Sequence, residues 1–237
     1  MLRRVFPTSR LGRLGLVLAV VLRWGSAPAQ AAPVTVPTGL TAGDTYHLIF
    51  VTAGFRDATS ANIADYDAFV TAQAGLDADL AALGTTWKVI GSTDTVNAHS
   101  HISVIGPVYN LAGQIVATGL QDLFDGTPLT PIKFNQFGAP TLVEVWTGSE
   151  ANGEAFDPFH HTLGSASPVH GISTASNFQW IVDNTLSPFN QLALYGISGP
   201  LVVPTTSSEV PEPASILLLA TGGLGVLVTR RRRQKQD

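Results

Sequence analysis

The chain has 237 residues and no cysteine, with 13 Lys and Arg against 17 Asp and Glu. Between residues 24 and 211, three cations stand against fifteen acids, which gives this middle region a net charge of −12. The missing cysteines exclude disulfides and thiolate metal sites, and the acidic middle argues against binding to the phosphate backbone of nucleic acids.

The first 31 residues have the three parts of a secretory signal peptide. Four arginines precede an apolar run at 14–22, and small residues follow it. A peptidase that selects small side chains at −3 and −1 is expected to recognise Ala29 and Ala31 and to cut after Ala31. Arg3 and Arg4 partly match a twin-arginine signal, so the general secretory route and the twin-arginine route both stay open.

The region after the signal predicts a short extended lead-in at 32–40 and one extracytoplasmic domain at 41–203. The apolar run Tyr46–Thr52 predicts a buried strand. Thr59–Ser60 is a candidate N-cap for a first helix, and the leucine spacing predicts a second helix over Leu76–Leu83.

Short strands are predicted to dominate the rest of the domain. They are expected at 87–92, 107–111, 114–117, 141–147, 180–182 and 192–197, with a short helix at 120–124 and a long loop at 154–175. Helices early and strands late are typical of the α+β class. Trp87, Trp146 and Trp180 lie within or beside these strands, so we expect them in the core rather than stacked on sugars.

Five short motifs come in an order that is similar to the endostatin-like branch of the C-type-lectin-like fold. They lie at 86–90, 106–111, 122–126, 145–153 and 194–197. The resemblance implies two early helices and a twisted antiparallel sheet with long loops. It also implies that the first strand, near Tyr46, pairs with the last, near Tyr195. The paired cysteines, arginine clusters and calcium–sugar signatures of the relatives are missing, so the resemblance assigns no ligand.

Acids and histidines in the 150–170 loop are candidate metal ligands. Clustered oxygens suit calcium, and a mixture of imidazole and carboxylate suits zinc. The candidates are Glu150, Asn152, Glu154, Asp157, His160 and His161. They match neither a known zinc spacing nor an EF-hand, so no cofactor is assigned, and calcium and zinc are both left open.

The other histidines have separate interpretations. His99 and His101 share one face if their segment is extended, and His170 lies in the same long loop as the metal candidates. His47 is expected in the core, because its strand is apolar. Walker loops and the usual hydrolase motifs are missing, so we expect no enzyme. The alternative is a metal-dependent enzyme that acts on extracellular polymers through the 150–170 loop.

The C-terminus is predicted to be a membrane anchor. A stalk at 204–215 rich in Pro, Ser and Thr precedes an apolar transmembrane helix at 216–229 and a basic tail at 230–237. Fourteen helical residues reach about 21 Å, less than the roughly 30 Å of a bilayer core. Four arginines stop the helix on the cytoplasmic side: Arg230, Arg231, Arg232 and Arg233.

The stalk and anchor together resemble a PEP-CTERM sorting signal, whose motif is Val210, Pro211, Glu212 and Pro213. The resemblance implies an exosortase of the inner membrane as the processing partner. It implies a protein held at that membrane with its domain in the periplasm, and then found at the cell surface or outside. Because bacteria with such signals make exopolysaccharide, we expect a binding or structural role in that matrix, with a glycan as the second partner.

Overall fold

The computed structural model describes residues 32–156 and 160–205. The predicted signal peptide, the sorting motif, the transmembrane helix and the arginine cluster lie outside these ranges. Nine strands form a mixed sheet: β1 Thr45–Val51, β2 Trp87–Val89, β3 Val108–Asn110, β4 Ile115–Ala117, β5 Glu144–Trp146, β6 Val169–Ile172, β7 Asn184–Thr185, β8 Ala193–Ser198 and β9 Leu201–Val202. The helices are α1 Ile63–Ala74, α2 Ala78–Ala82, α3 Ala98–His101 and α4 Leu120–Leu123, with a 3₁₀ helix at Phe178–Trp180.

The sheet has the order β4-β3-β1-β8-β5-β6-β7, and two short strands pair beside this path, β2 with β8 and β9 with β1. The first long strand pairs antiparallel with β8, so that Phe50 lies opposite Gly196. A pairing of the first strand with the strand that contains Tyr195 is what the endostatin-like resemblance implied. The expected antiparallel sheet is instead mixed, because β1 pairs parallel with β3 and β5 pairs parallel with β8.

Both faces of the central strands are covered. In β1, Tyr46, Leu48 and Phe50 belong to one apolar cluster, while Ile49 and Val51 belong to another. A strand that is buried on both faces needs apolar side chains at successive positions, which explains the unbroken apolar run in the sequence. Helix α1 covers the first face through residues that include Tyr66 and Val70.

The two predicted helices exist, but their beginnings differ from the expectation. Helix α1 is capped by Asn62, whose side chain accepts a hydrogen bond from the amide of Ala64, and Ser60 lies before the cap. Helix α2 is capped by Asp77 and is only five residues long. Leu76 therefore lies outside it and is exposed, while Leu80 is buried. An Asx cap fixes the first helical residue more strongly than apolar spacing does.

Two late predictions were wrong. The long loop expected at 154–175 contains strand β6, which pairs with β5 and β7. The strand expected around Trp180 is a 3₁₀ helix, although Trp180 is fully buried in the core. An aromatic and β-branched triplet indicates burial, but it leaves the backbone conformation open.

Within the described ranges, no helix has the length and apolarity needed to cross a bilayer. The predicted span at 216–229 lies beyond them.

Candidate functional site

The last described residues, which lead to the predicted stalk, lie at the end of the sheet where β1 begins and β8 ends. We call this end of the sheet the tether end. The amide of Gly43 donates to the carbonyl of Val203 at 3.0 Å, and the amide of Val203 donates to the carbonyl of Asp44 at 2.9 Å. Thr45 pairs with Val202 directly beside them. The first and last parts of the sheet therefore meet where Thr205 leads on to the stalk.

A shallow groove of about 430 Å³ lies at the tether end. It is lined by apolar and small residues that include Val36, Tyr46, Leu83, Pro200, Val202 and Pro204. None of the described residues that line it is charged. Val202 is 59% exposed and Val36 is 43% exposed, so the groove presents an uncharged, largely apolar surface to water, while Asp44 lies next to Val203 at the same end.

The opposite end of the sheet, which we call the distal end, carries exposed aromatic side chains. Phe55 follows the end of β1, and Phe189 precedes the beginning of β8. Their segments are joined, because Arg56 and Leu192 exchange backbone hydrogen bonds and the amide of Ala58 donates to the carbonyl of Pro188. Phe55 is 49% exposed and Phe189 is 77% exposed.

Arg56 lies between these features and is held by its own protein. Its guanidinium carbon is 4.1 Å from the ring centroid of Tyr66, and Nη1 donates to the carbonyl of Asp65 at 2.7 Å. Burial raises the pKa of Tyr66 to about 12, so the phenol stays neutral under the cation. The neighbouring Asp57 accepts hydrogen bonds from Thr59, which lower the pKa of its carboxyl group. The Nε atom of Arg56 also donates to the carbonyl of Asp57 at 3.1 Å, so the guanidinium is oriented by backbone carbonyls and by the Tyr66 ring.

The predicted oxygen ligands are engaged with one another in a turn. The amide of Glu150 donates to the carbonyl of Glu154, and the amide of Glu154 donates to the side-chain oxygen of Asn152 at 3.0 Å. The carboxylate of Glu154 accepts from the side chain of Asn97, which also accepts from the amide of Ala155. Glu154 and Asn152 are therefore parts of a turn that contacts Asn97, the N-cap of α3. Glu150 takes part in this turn through its backbone amide.

The predicted imidazole ligands lie beyond that turn. His160 is exposed, and its Nδ1 atom is 3.8 Å from a carboxylate oxygen of Asp94. His161 places Nδ1 at 2.7 Å from the carbonyl of Ser167. The described residues hold no group of three or more His, Asp or Glu that could bind a metal ion. Asp157 lies outside those residues, so the metal site stays a prediction.

A shared face for His99 and His101 was expected only if their segment was extended, and the segment instead forms the helical turn α3. His99 contacts the ring of Phe124 and the side chain of Gln121. His101 places Nε2 at 3.0 Å from the carboxylate of Asp67 on α1. The two imidazoles therefore lie in different surroundings, which does not favour a metal-dependent enzyme.

Two further histidines are buried. His170 lies in β6, and its ring is 6.2 Å from that of Trp146. His47 is fully buried, as expected: its Nδ1 atom is 3.0 Å from the carbonyl of Ser198, and Nε2 accepts from the amide of Ile105 at 3.2 Å. Burial lowers the pKa of His47. Both imidazoles are part of the core and are closed to a substrate.

Sequence reasoning missed the aromatic pair at the distal end. Each phenylalanine directly follows a turn former, Gly54 or Pro188, which is a weak signal for an exposed loop tip. Both phenylalanines come to the same end of the sheet because Arg56 pairs with Leu192 and Ala58 with Pro188, and no local sequence pattern contains these long-range pairings.

Residues 209–233 match the PEP-CTERM protein-sorting motif. The match includes the Pro-Glu-Pro triplet, the apolar segment and the four arginines. It indicates an exported protein that is anchored to a membrane by its C-terminus and processed by an exosortase. No curated protein matches the chain significantly. The match to the sorting motif covers none of the domain, so the likeness to the endostatin-like branch stays a prediction.

Proposed function

We propose that this exported PEP-CTERM protein is a non-enzymatic component of the extracellular polysaccharide matrix and binds matrix glycan at its distal end. The observation that carries the proposal is the position of Phe55 and Phe189, exposed at the end of the sheet opposite the tether. An aromatic ring offers a flat apolar face against which the C–H face of a sugar ring can pack. Exposed apolar patches on a soluble protein often mark binding surfaces.

The surroundings of the pair suit a neutral or weakly charged glycan. Asp57 and Asp65 lie beside Arg56, which contacts the ring of Tyr66 and donates to the backbone carbonyls of both aspartates. A highly anionic polymer would be repelled by the carboxylates, and Arg56 is the single cation beside them among the described residues of these segments. The proposal does not depend on a lectin-like fold.

The test is retention of the processed protein, recovered from its host, on immobilised exopolysaccharide of the same host. The wild type is expected to be retained in calcium and in chelator alike. The double variant Phe55→Ala with Phe189→Ala should lose roughly tenfold in affinity, because one aromatic contact contributes about 0.5–1.5 kcal/mol. Leu76→Ala is the matched control, since Leu76 is also an exposed apolar residue, 61% exposed, but lies beside the helices.

Equal retention of the double variant and the control would contradict the proposed surface. If the wild type failed to bind the host polysaccharide at all, the proposal that this protein binds matrix glycan would be refuted. Binding that appears only with calcium would point back to the 150–170 loop.

A further inference from the structure

The chain between the described domain and the predicted membrane helix is short. Residues 206–215 separate Thr205 from Ile216. At no more than about 3.6 Å per residue, these ten residues span at most about 40 Å. A domain of this size has a diameter of about 40 Å. While the C-terminus is anchored, the domain is therefore held within about one diameter of the bilayer, and the tether end is the part to which the tether is attached.

The groove at the tether end is uncharged, in contrast to the acidic domain as a whole. Val36 and Val202 are exposed beside the uncharged groove. Ile105, which is 66% exposed, lies at the same end, because the neighbouring Gly106 packs against the carbonyl of Thr45 at the beginning of β1. An acidic surface is repelled by anionic headgroups, whereas uncharged apolar side chains can enter the interfacial layer.

We propose that the tether end rests on the lipid surface while the C-terminal anchor is in place, with Val36, Ile105 and Val202 in contact with the interfacial layer. Three aliphatic side chains would bind a bilayer weakly on their own, but a short tether raises their local concentration to the millimolar range. The contact would orient the distal end away from the membrane and would be lost when the tail is removed.

The cysteine-free chain allows a direct test with single labels. Full-length protein carrying Val202→Cys or Val36→Cys is modified with an environment-sensitive fluorophore and reconstituted into vesicles of phosphatidylcholine with a minority of phosphatidylglycerol. Leu142→Cys is the matched control: Leu142 is 77% exposed and precedes β5, which runs parallel to β8, so it lies at the distal end. Lipids with a nitroxide in the headgroup region quench labels that reach the interface.

We expect quenching at positions 36 and 202 to be several-fold stronger than at 142, with a blue-shifted emission. Adding Val202→Glu to the Val36→Cys protein should bring quenching at position 36 down to the level of the control, while the thermal midpoint shows that the protein is still folded. Ile105→Gln in the Val36→Cys protein, at a position outside the sheet, should likewise lower the quenching at position 36.

Equal quenching at all three positions, in protein that still floats with the vesicles, would overturn the proposal. So would a blue shift at position 202 that depends on the ratio of protein to lipid and is insensitive to the nitroxide, because it would identify a second copy of the chain as the occupant. Glycan retention is measured on the processed protein without vesicles, so the two proposals can fail separately.

Discussion

The ring of Phe50 packs directly against the backbone of Gly196, its partner across the two central strands. A Cβ atom at Gly196 would lie 2.8 Å from that ring, and the ring is held from its other side by an edge contact with Trp87, at a centroid distance of 5.1 Å. The first apolar cluster therefore has no room for a side chain at position 196.

Gly196→Ala is expected to destabilise the protein by about 1–3 kcal/mol, the usual cost of overpacking a tight core. Urea unfolding measures the change in the free energy of unfolding. Gly119→Ala is the control, because a Cβ atom there meets nothing within 4 Å and the backbone is extended; its effect should stay within about 0.5 kcal/mol. Equal effects of the two substitutions would show that Phe50 can move.

The two fully buried tryptophans should respond differently to substitution by phenylalanine. The Nε1 atom of Trp146 donates toward the carbonyls of Arg56 and Asn190, at 3.2 and 3.4 Å. The Nε1 atom of Trp180 is buried and has no hydrogen-bond partner among the described residues. Trp146→Phe removes a satisfied donor, while Trp180→Phe removes a donor that was desolvated without compensation.

We therefore expect Trp146→Phe to cost about 1 kcal/mol more than Trp180→Phe, since both lose a similar ring volume. Thermal or urea unfolding of the two single variants makes the comparison. A larger loss in Trp180→Phe would mean that its indole nitrogen has a partner in solution.

His47 should make the stability of the domain fall in mild acid. Burial lowers its pKa below the unfolded value of about 6.5. The unfolded state therefore binds the proton more readily, and the contribution of the neutral imidazole is fully present above about pH 6.5 and is lost progressively as the pH falls toward the folded-state pKa. Protonation would also convert Nε2, which accepts from the amide of Ile105, into a donor.

The measurement is the urea midpoint near pH 7.5 and near pH 5, which lie on either side of the unfolded pKa. His47→Gln should be less stable than the wild type at the higher pH and should lose less between the two. His160→Gln, at a side chain that is 74% exposed, should leave the wild-type difference unchanged. An unaltered pH dependence in His47→Gln would assign the acid loss to other groups.

Processing at the sorting motif is expected to depend on the Pro-Glu-Pro triplet. Intact mass of the protein from its host should show loss of the first 31 residues and of the tail after about Pro213. Replacing Pro211 and Pro213 by alanine should leave the tail attached and keep the protein in the membrane fraction. Ser207→Ala lies outside the matched residues 209–233 and should be processed normally. Loss of the tail from the alanine variant would show that cleavage does not depend on the Pro-Glu-Pro triplet.

The amino-acid sequence by itself determined the features that are encoded in one continuous stretch of residues. The sorting tail is read from one stretch of 25 residues, and the strand at Tyr46, the hairpin around Gly113 and the α+β class follow from apolar runs and turn residues. These features depend on neighbours in the chain, so periodicity and turn chemistry are sufficient to indicate them.

Long-range pairing decided the rest. Strand β6 forms because its backbone completes the hydrogen bonding of β5 and β7, which outweighs a sequence rich in Gly, Ser and His. The candidate histidines are distributed among the helical turn α3 (His99 and His101), the core strand β6 (His170) and the loop at His160 and His161. The same topology places the exposed aromatics at one end of the sheet and the tether at the other. The order of the strands in the sheet decides which distant residues become neighbours. That order depends on the packing of the whole domain, so no local segment contains it.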